Sequence, residues 1–434
     1  MEINNNHITI KKLKIMKKYF ILAAAALVAL TACTKMELDE TATPDVKIGF
    51  EVANYMSQTK ADGSSFLTEL TNMEATTIAF KSSAFIHPNG GSFGDFFNPN
   101  PETITWNDTS TEWEPSKDYY WPKSPSSNID FFSWYDFDGT AAAPTLTYNG
   151  SSAPTLVWTN RTVDYKSDIL FADIAWHQTA NQERNQIDGV SSGVPTLFHH
   201  ALAQVKFQAK IKEEKDKKAD SKNSGYYTFF EVKLSAFTLP QVHKNGTLSL
   251  TKTYESSKTT TAWTVPSPAI WANATSATLV NTPNDWFTTA AATGSEVLTT
   301  AAYSALNATN YMPDGFIAVR PQAVTNDMKL TFTISITKWY GTQTQFNAEG
   351  HSGCTNLGTE VFPVTDFATT ADDAYTANGL QLNKIANAPA NWEMNKRIIY
   401  NIIIDPTTDT ILFDPAVVDW DTANYDVEVP KPAE

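Results

Sequence analysis

Cysteine is nearly missing from this 434-residue chain, which carries only Cys33 and Cys354. A disulfide-stapled scaffold is therefore excluded, and stability has to come from buried surface. Arginine is scarce too: Arg161, Arg184, Arg320 and Arg397 are the full complement. Acidic residues outnumber basic ones 47 to 32, a net charge of −15, so no nucleic-acid partner is expected. No apolar run reaches the roughly 20 residues that a membrane-spanning helix needs. Nor does any long stretch carry a helical apolar stripe; only 298–309 (LTTAAYSALNAT) reads as one short helix. Zinc HExxH, P-loop, nucleotide-binding glycine and GxSxG patterns are all missing. The carboxylates are scattered, with no motif marking a pair for glycoside chemistry. The expectation is a protein that is not an enzyme and holds no cofactor or metal.

What is present begins with an export signal. Lys11, Lys12, Lys14, Lys17 and Lys18 form a basic region, Tyr19–Leu30 is apolar, and small residues follow at Thr31 and Ala32. A core of about a dozen residues suits a secretory signal peptide. Met16 would serve equally well as the start, since Lys17 and Lys18 keep the basic end. Leu30-Thr31-Ala32-Cys33 resembles the lipobox of bacterial lipoproteins, which implies cleavage between Ala32 and Cys33 and acylation of the Cys33 thiol. Two acyl chains anchor stably where one would be marginal. Loss of residues 1–32 leaves 402 residues and takes the net charge to about −19. Residues 33–45 read as an acidic tether.

Beyond the tether the dominant period is two. Leu330, Phe332, Ile334 and Ile336 alternate with polar residues, as do Val205, Phe207, Ala209 and Ile211. Phe230, Val232, Leu234 and Ala236 repeat the pattern, and so do Ile398, Tyr400, Ile402 and Ile404. Each predicts a strand with one buried face. Turn sequences separate the strands at 88–91, 98–101 and 405–408, and Asn245-Gly246, leading into Thr247–Leu250, predicts a hairpin. The threonine-rich stretches 251–262 and 366–376 read as surface loops. The fold class is all-β of sandwich type. The 12 Trp, 16 Tyr and 24 Phe make a large core available.

A few residues invite chemistry and have plainer readings. Asp136-Phe137-Asp138-Gly139 could open a calcium loop, but the oxygen ligands do not continue, and a solvated turn fits better. His199 and His200 are successive on a strand, so their rings point to opposite faces and do not suit one metal. Cys354 reads as an inert, partly buried thiol. The Trp residues read mainly as core, with sugar-stacking platforms as the alternative. Asp409-Thr410-Ile411 and Asp421-Thr422-Ala423 resemble a short O-glycosylation pattern.

Several segments, in order, resemble the fimbrillin family, the pilus subunits and associated lipoproteins of Bacteroidales-type anaerobes. They are Val46-Lys47-Ile48-Gly49-Phe50 and Gln58-Thr59-Lys60-Ala61; Tyr119-Tyr120-Trp121-Pro122 with Asp130-Phe131-Phe132-Ser133-Trp134-Tyr135; and Asp168-Ile169-Leu170-Phe171-Ala172. Leu197-Phe198-His199-His200-Ala201-Leu202, Ile317-Ala318-Val319-Arg320-Pro321-Gln322, and Tyr400-Asn401-Ile402 through Val418-Asp419-Trp420 complete the series. The resemblance implies two tandem transthyretin-like β-sandwiches, here 46–200 and 201–434.

It also implies a life history. Such subunits travel to the outer membrane as lipoproteins, and a protease cuts after a basic residue in the loop behind the first strand. Strand and lipid leave together, and an extended segment of the next subunit fills the groove. The implied partners are other fimbrillin subunits, the outer membrane through the lipid, a processing protease, and a host or bacterial surface ligand. The donor candidate is 411–429, where Tyr425, Val427 and Val429 alternate with Asp426 and Glu428; the alternative is that this tail closes its own sandwich. The family's usual cleavage residue is arginine, whereas the matching position here is Lys60, followed by Ala61. Either a lysine-tolerant protease acts there, or the subunit keeps its lipid as an anchor or surface-displayed component. A non-polymerising lipoprotein that binds glycans through exposed Trp residues is the competing reading.

Overall fold

The computed structural model describes residues 46–419 except 55–78, 108, 110–111, 125, 137–142, 164–167, 181–185, 188–189, 192, 240, 255–260, 274–296, 302–303, 306–315, 364–367, 370–374, 377–378, 386 and 409. Among the described residues almost all regular structure is strand, and the single α-helix is the one-turn Gln343–Phe346. The all-β class is what the period-two pattern requires.

The first sheet contains β1 (Phe50–Asn54), β2 (Ala79–His87), β3 (Gly94–Asp95), β4 (Glu102–Asn107), β5 (Glu112–Pro115) and β6 (Asn128–Asp136). After β7 (Thr145–Thr147) and β8 (Thr155–Thr162), which belong elsewhere, it continues with β9 (Ile169–Ala172), β10 (Ala175–Gln178) and β11 (Val194–His200). The strand order is β10-β6-β9-β11-β1-β5-β4-β2-β3, and β6 also pairs with β2. That extra pairing rolls the sheet shut around a core of Phe50, Phe80, Trp113, Phe131 and Phe198.

Downstream, two sheets face each other. One holds β12 (Ala203–Ile211) beside strands that appear late in the chain, and the other is built on β13 (Tyr226–Thr238). After β14 (Asn245–Thr251) and β15 (Ile317–Val319) come β16 (Lys329–Thr342) and β17 (Thr355–Pro363), then β18 (Lys396–Asp405) and β19 (Thr410–Asp419). β12, β15, β18 and β19 lie in one sheet, and β13, β16 and β17 in the other. Phe207 on β12 meets Phe237 on β13 across the gap at 5.1 Å. The alternating apolar residues of β12, β16 and β18 are buried, as expected of strands wetted on one face.

Four expectations change. Ser304–Ala305, inside the stretch read as a short helix, is a strand paired with Gln208 and Ala209. Ala368–Thr369 and Tyr375–Thr376, read as loop, are short strands. Asn245-Gly246 is not a hairpin turn but the start of β14, which pairs with β8. The reason lies in Gly246, whose φ is not positive: a Cβ there would sit 2.8 Å from the Ala272 carbonyl oxygen and from Arg320 Cδ. Finally, β7 and β8 precede residue 200 yet share a four-stranded sheet with β14, so hydrogen bonding crosses the sequence boundary.

The chain connection between the halves is nonetheless short. β11 ends at His200 and β12 begins at Ala203. Each half repeats one arrangement: β1 runs parallel to β11 with β5 antiparallel on its other flank, and β12 runs parallel to β18 with β15 antiparallel.

Candidate functional site

The segment to which the resemblance points, the first strand, sits in the interior of the first sheet. Ile48, Phe50 and Val52 share one face by their spacing, and all three are at most 4 % exposed. Phe50 meets Phe80 and Phe131 edge-on at 5.6 and 5.7 Å, a favoured aromatic geometry. Burial of each such side chain contributes roughly 1.5–3 kcal/mol. Withdrawal of β1 would therefore open a slot floored by Phe80, Trp113, Phe131 and Phe198.

The two flanks of this strand differ. Along β11 the register runs over five positions, from Phe50 opposite Val194 to Asn54 opposite Phe198. Along β5 only Phe50 opposite Trp113 is in register. Two backbone bonds fix the entry, Ile48 N–H to the Tyr119 carbonyl at 2.9 Å and Val194 N–H to the Gly49 carbonyl at 2.8 Å. Close approach at this point needs Gly193, where a Cβ would lie 2.9 Å from Glu51 N, Gly49 O and Phe50 C.

Cys33, with Ala32, and Lys60, with Ala61, lie outside the described residues. The described part of β1 stops at Asn54, six positions before Lys60. In the tail, 410–419 is β19, paired with β18 from Lys396 opposite Asp419 to Asp405 opposite Thr410. This part of the proposed donor segment thus closes the chain's own sheet, as the alternative reading had it. The turn holds it there: the Thr407 hydroxyl and N–H donate to Asp405 Oδ1 at 2.6 and 3.0 Å. Tyr425, Val427 and Val429 lie outside the described residues.

His199 and His200 do point apart, each to its own carboxylate. His199 Nε2 is 3.0 Å from Asp173 and His200 Nδ1 is 3.0 Å from Asp168. His200 is buried, while His199 is partly covered and stacks on Phe171 at 5.4 Å. Asp136 is committed to an ion pair with buried Arg161 at 2.6 and 3.0 Å; residues 137–142 of the supposed calcium loop are not described. Cys354 is partly buried, and burial pushes its thiol up, away from reactivity. Of the ten described Trp residues none is exposed; Trp106 and Trp339 are half-buried and the rest buried. No described helix is long and apolar enough to cross a membrane. Nothing in their spacing marks His87, Asp130 and His177, yet the fold brings them within ligating distance of one another.

No protein-family model matches the chain, and no curated protein matches it significantly. Solved structures do. A fimbrial protein from Bacteroides vulgatus is similar at 16 % identity and a TM-score of 0.43, covering 86 % of this chain and 99 % of that one. A candidate cell adhesion protein from Bacteroides uniformis is similar at 12 % identity and TM-score 0.35, covering 86 % and 98 %. The fimbrial anchor protein Mfa2 from Porphyromonas gingivalis is similar at 8 % identity and TM-score 0.27, covering 87 % and 98 %.

Proposed function

We propose that this chain is a fimbrial structural subunit precursor, exported as an outer-membrane lipoprotein and assembled at the cell surface by strand exchange, where it contributes to adhesion. The observation that carries this reading is the seat of β1. An N-terminal strand of five residues supplies buried Phe50 and Val52 to the interior of a sheet, and its only continuation runs into the segment that contains Lys60. A single cut there would free the strand together with anything attached ahead of it. The slot left behind would expose apolar side chains and unpaired backbone groups, both unfavourable in water. A strand from another subunit, in register with β11, would satisfy both.

Cys33 supplies the lipid and Lys60 the cleavage point in this scheme, and two tandem transthyretin-like domains meeting at Ala201 supply the body. The donor is narrowed to residues after Asp419, since β19 is already paired. Partners are further subunits, the processing protease and a surface ligand; no catalysis is involved. N-terminal sequencing of the protein from intact cells tests the scheme. A start at Ala61 in surface polymers is the expected result. A start at Cys33 in every fraction would make the chain a lipid-retaining anchor or displayed component. If the protein without residues 46–60 stays strictly monomeric, polymerisation by exchange is untenable.

A further inference from the structure

Three strands of the first sheet converge at one corner on a buried carboxylate. Asp130, on β6, is 0 % exposed. His87 ends β2, with its Nε2 2.7 Å from Asp130 Oδ2. Tyr148 donates its hydroxyl to the same oxygen at 2.7 Å, and the backbone N–H of His177 donates to Oδ1 at 2.7 Å. The His87 and His177 rings stand 5.6 Å apart, edge to face at 83°. One ligand atom from each of His87, Asp130 and His177 lies within 4.8 Å of the other two.

The backbone is bent to make this corner. Ala175 pairs with Phe131 and Gln178 with Ile129, so Trp176 and His177 together oppose Asp130 in a β-bulge. His177 adopts φ +50°, uncommon for a residue other than glycine, asparagine or aspartate. Bulges of this kind re-aim a side chain, and left-handed strain gathers at sites with a task. The bulge delivers the His177 N–H to Asp130, and it also sets the His177 imidazole beside His87, which satisfying the carboxylate would not by itself require.

We infer that His87, Asp130 and His177 form a binding site for a divalent transition-metal ion of the zinc class. Two imidazoles and one carboxylate are a familiar three-ligand set that leaves a fourth position for water. Ligand atoms on a tetrahedral zinc lie roughly 3.3 Å apart, given bonds of about 2.0–2.1 Å. The His87–Asp130 contact therefore widens by only about half an ångström when the ion replaces the proton between them. Tyr148 and the His177 N–H hold the carboxylate from behind, as outer partners of metal ligands commonly do. The His87 side chain is 24 % exposed, which gives an ion a way in from the surface.

The test uses the full chain in detergent, stripped with EDTA and titrated with Co²⁺ by visible absorption and with Zn²⁺ by calorimetry. One ion per chain is expected, with Zn²⁺ displacing Co²⁺. His87→Gln retains a donor to Asp130, and His177→Asn retains a residue that tolerates positive φ. Both should fold, as thermal unfolding of the metal-free proteins would show, and both should bind at least tenfold more weakly. Tyr148→Phe should keep the stoichiometry and lose about 10–100-fold in affinity. The absence of saturable uptake by the unaltered protein would overturn the inference. So would unchanged affinity in the two histidine variants.

Discussion

Gly193 illustrates how one missing methyl positions an element. The atoms a Cβ would meet at 2.9 Å are all backbone of residues 49–51, which cannot swing aside as a side chain could. Gly193→Ala should therefore loosen β1, destabilising the fold by about 1–3 kcal/mol. Hydrogen exchange over 48–54 should rise with it, whereas Gly94→Ala, which meets nothing within 4 Å, should leave both unchanged. Asp405 makes the matching case for charge. Burial would raise its carboxyl, but the Thr407 side-chain and backbone hydrogen bonds, with Lys215 and Lys212 nearby, hold it below the ordinary value. A depressed folded pKa adds stability above the unfolded pKa, and that stability fades as pH falls through the folded one. Asp405→Asn should therefore lose about 1.5–3 kcal/mol at neutral pH. In urea unfolding at pH 3 and below, the gap between variant and parent should narrow.

Strands differ in how openly their sequences announce them, and the difference is physical. β12, β16 and β18 were legible because one face is dry and the other wet, which forces alternation. β6 shows no alternation because both of its faces are dry: Phe132 and Trp134 enter the larger core, Ile129 and Phe131 enter the smaller one, and Asp130 and Ser133 are buried among them. Only the family resemblance drew attention to it. Asn245-Gly246 misled for a different reason, since its glycine serves close approach by Arg320 and not a turn. The corner at Asp130 was invisible because strand pairing alone joins positions 87, 130 and 177. For β1, Phe50→Ala should cost about 3–5 kcal/mol in chemical denaturation. Val417→Ala, at a side chain 46 % exposed on β19, should stay within about 0.5 kcal/mol.

Over the whole molecule, the repeated placing of β1 and β12 beside a parallel and an antiparallel neighbour is what the tandem-domain proposal expects. The copies are unequal, however. β12 is in register with β18 over eight positions, against five for β1 on β11. Over the described residues the first strand of the N-terminal half is seated chiefly by its parallel neighbour β11. Lys60→Gln should keep Cys33 as the N-terminal residue, with the protein remaining in the membrane fraction; immunoblotting of shed and membrane fractions would register the difference. The acidic balance of the chain, a net charge of −15, adds repulsion between neighbouring copies at low salt.

The direction of β1 carries one more consequence. A replacement that keeps its register must travel the same way along β11, entering beside Val194 and leaving beside Phe198. In the proposed exchange, donor and acceptor surfaces are different patches, so the contact is heterologous and joins copies head to tail. A filament built on it has unlike ends, one with an open slot and one with an unused tail. Growth by slot filling adds copies in a single orientation, and a copy whose slot is still occupied by its own β1 terminates the chain.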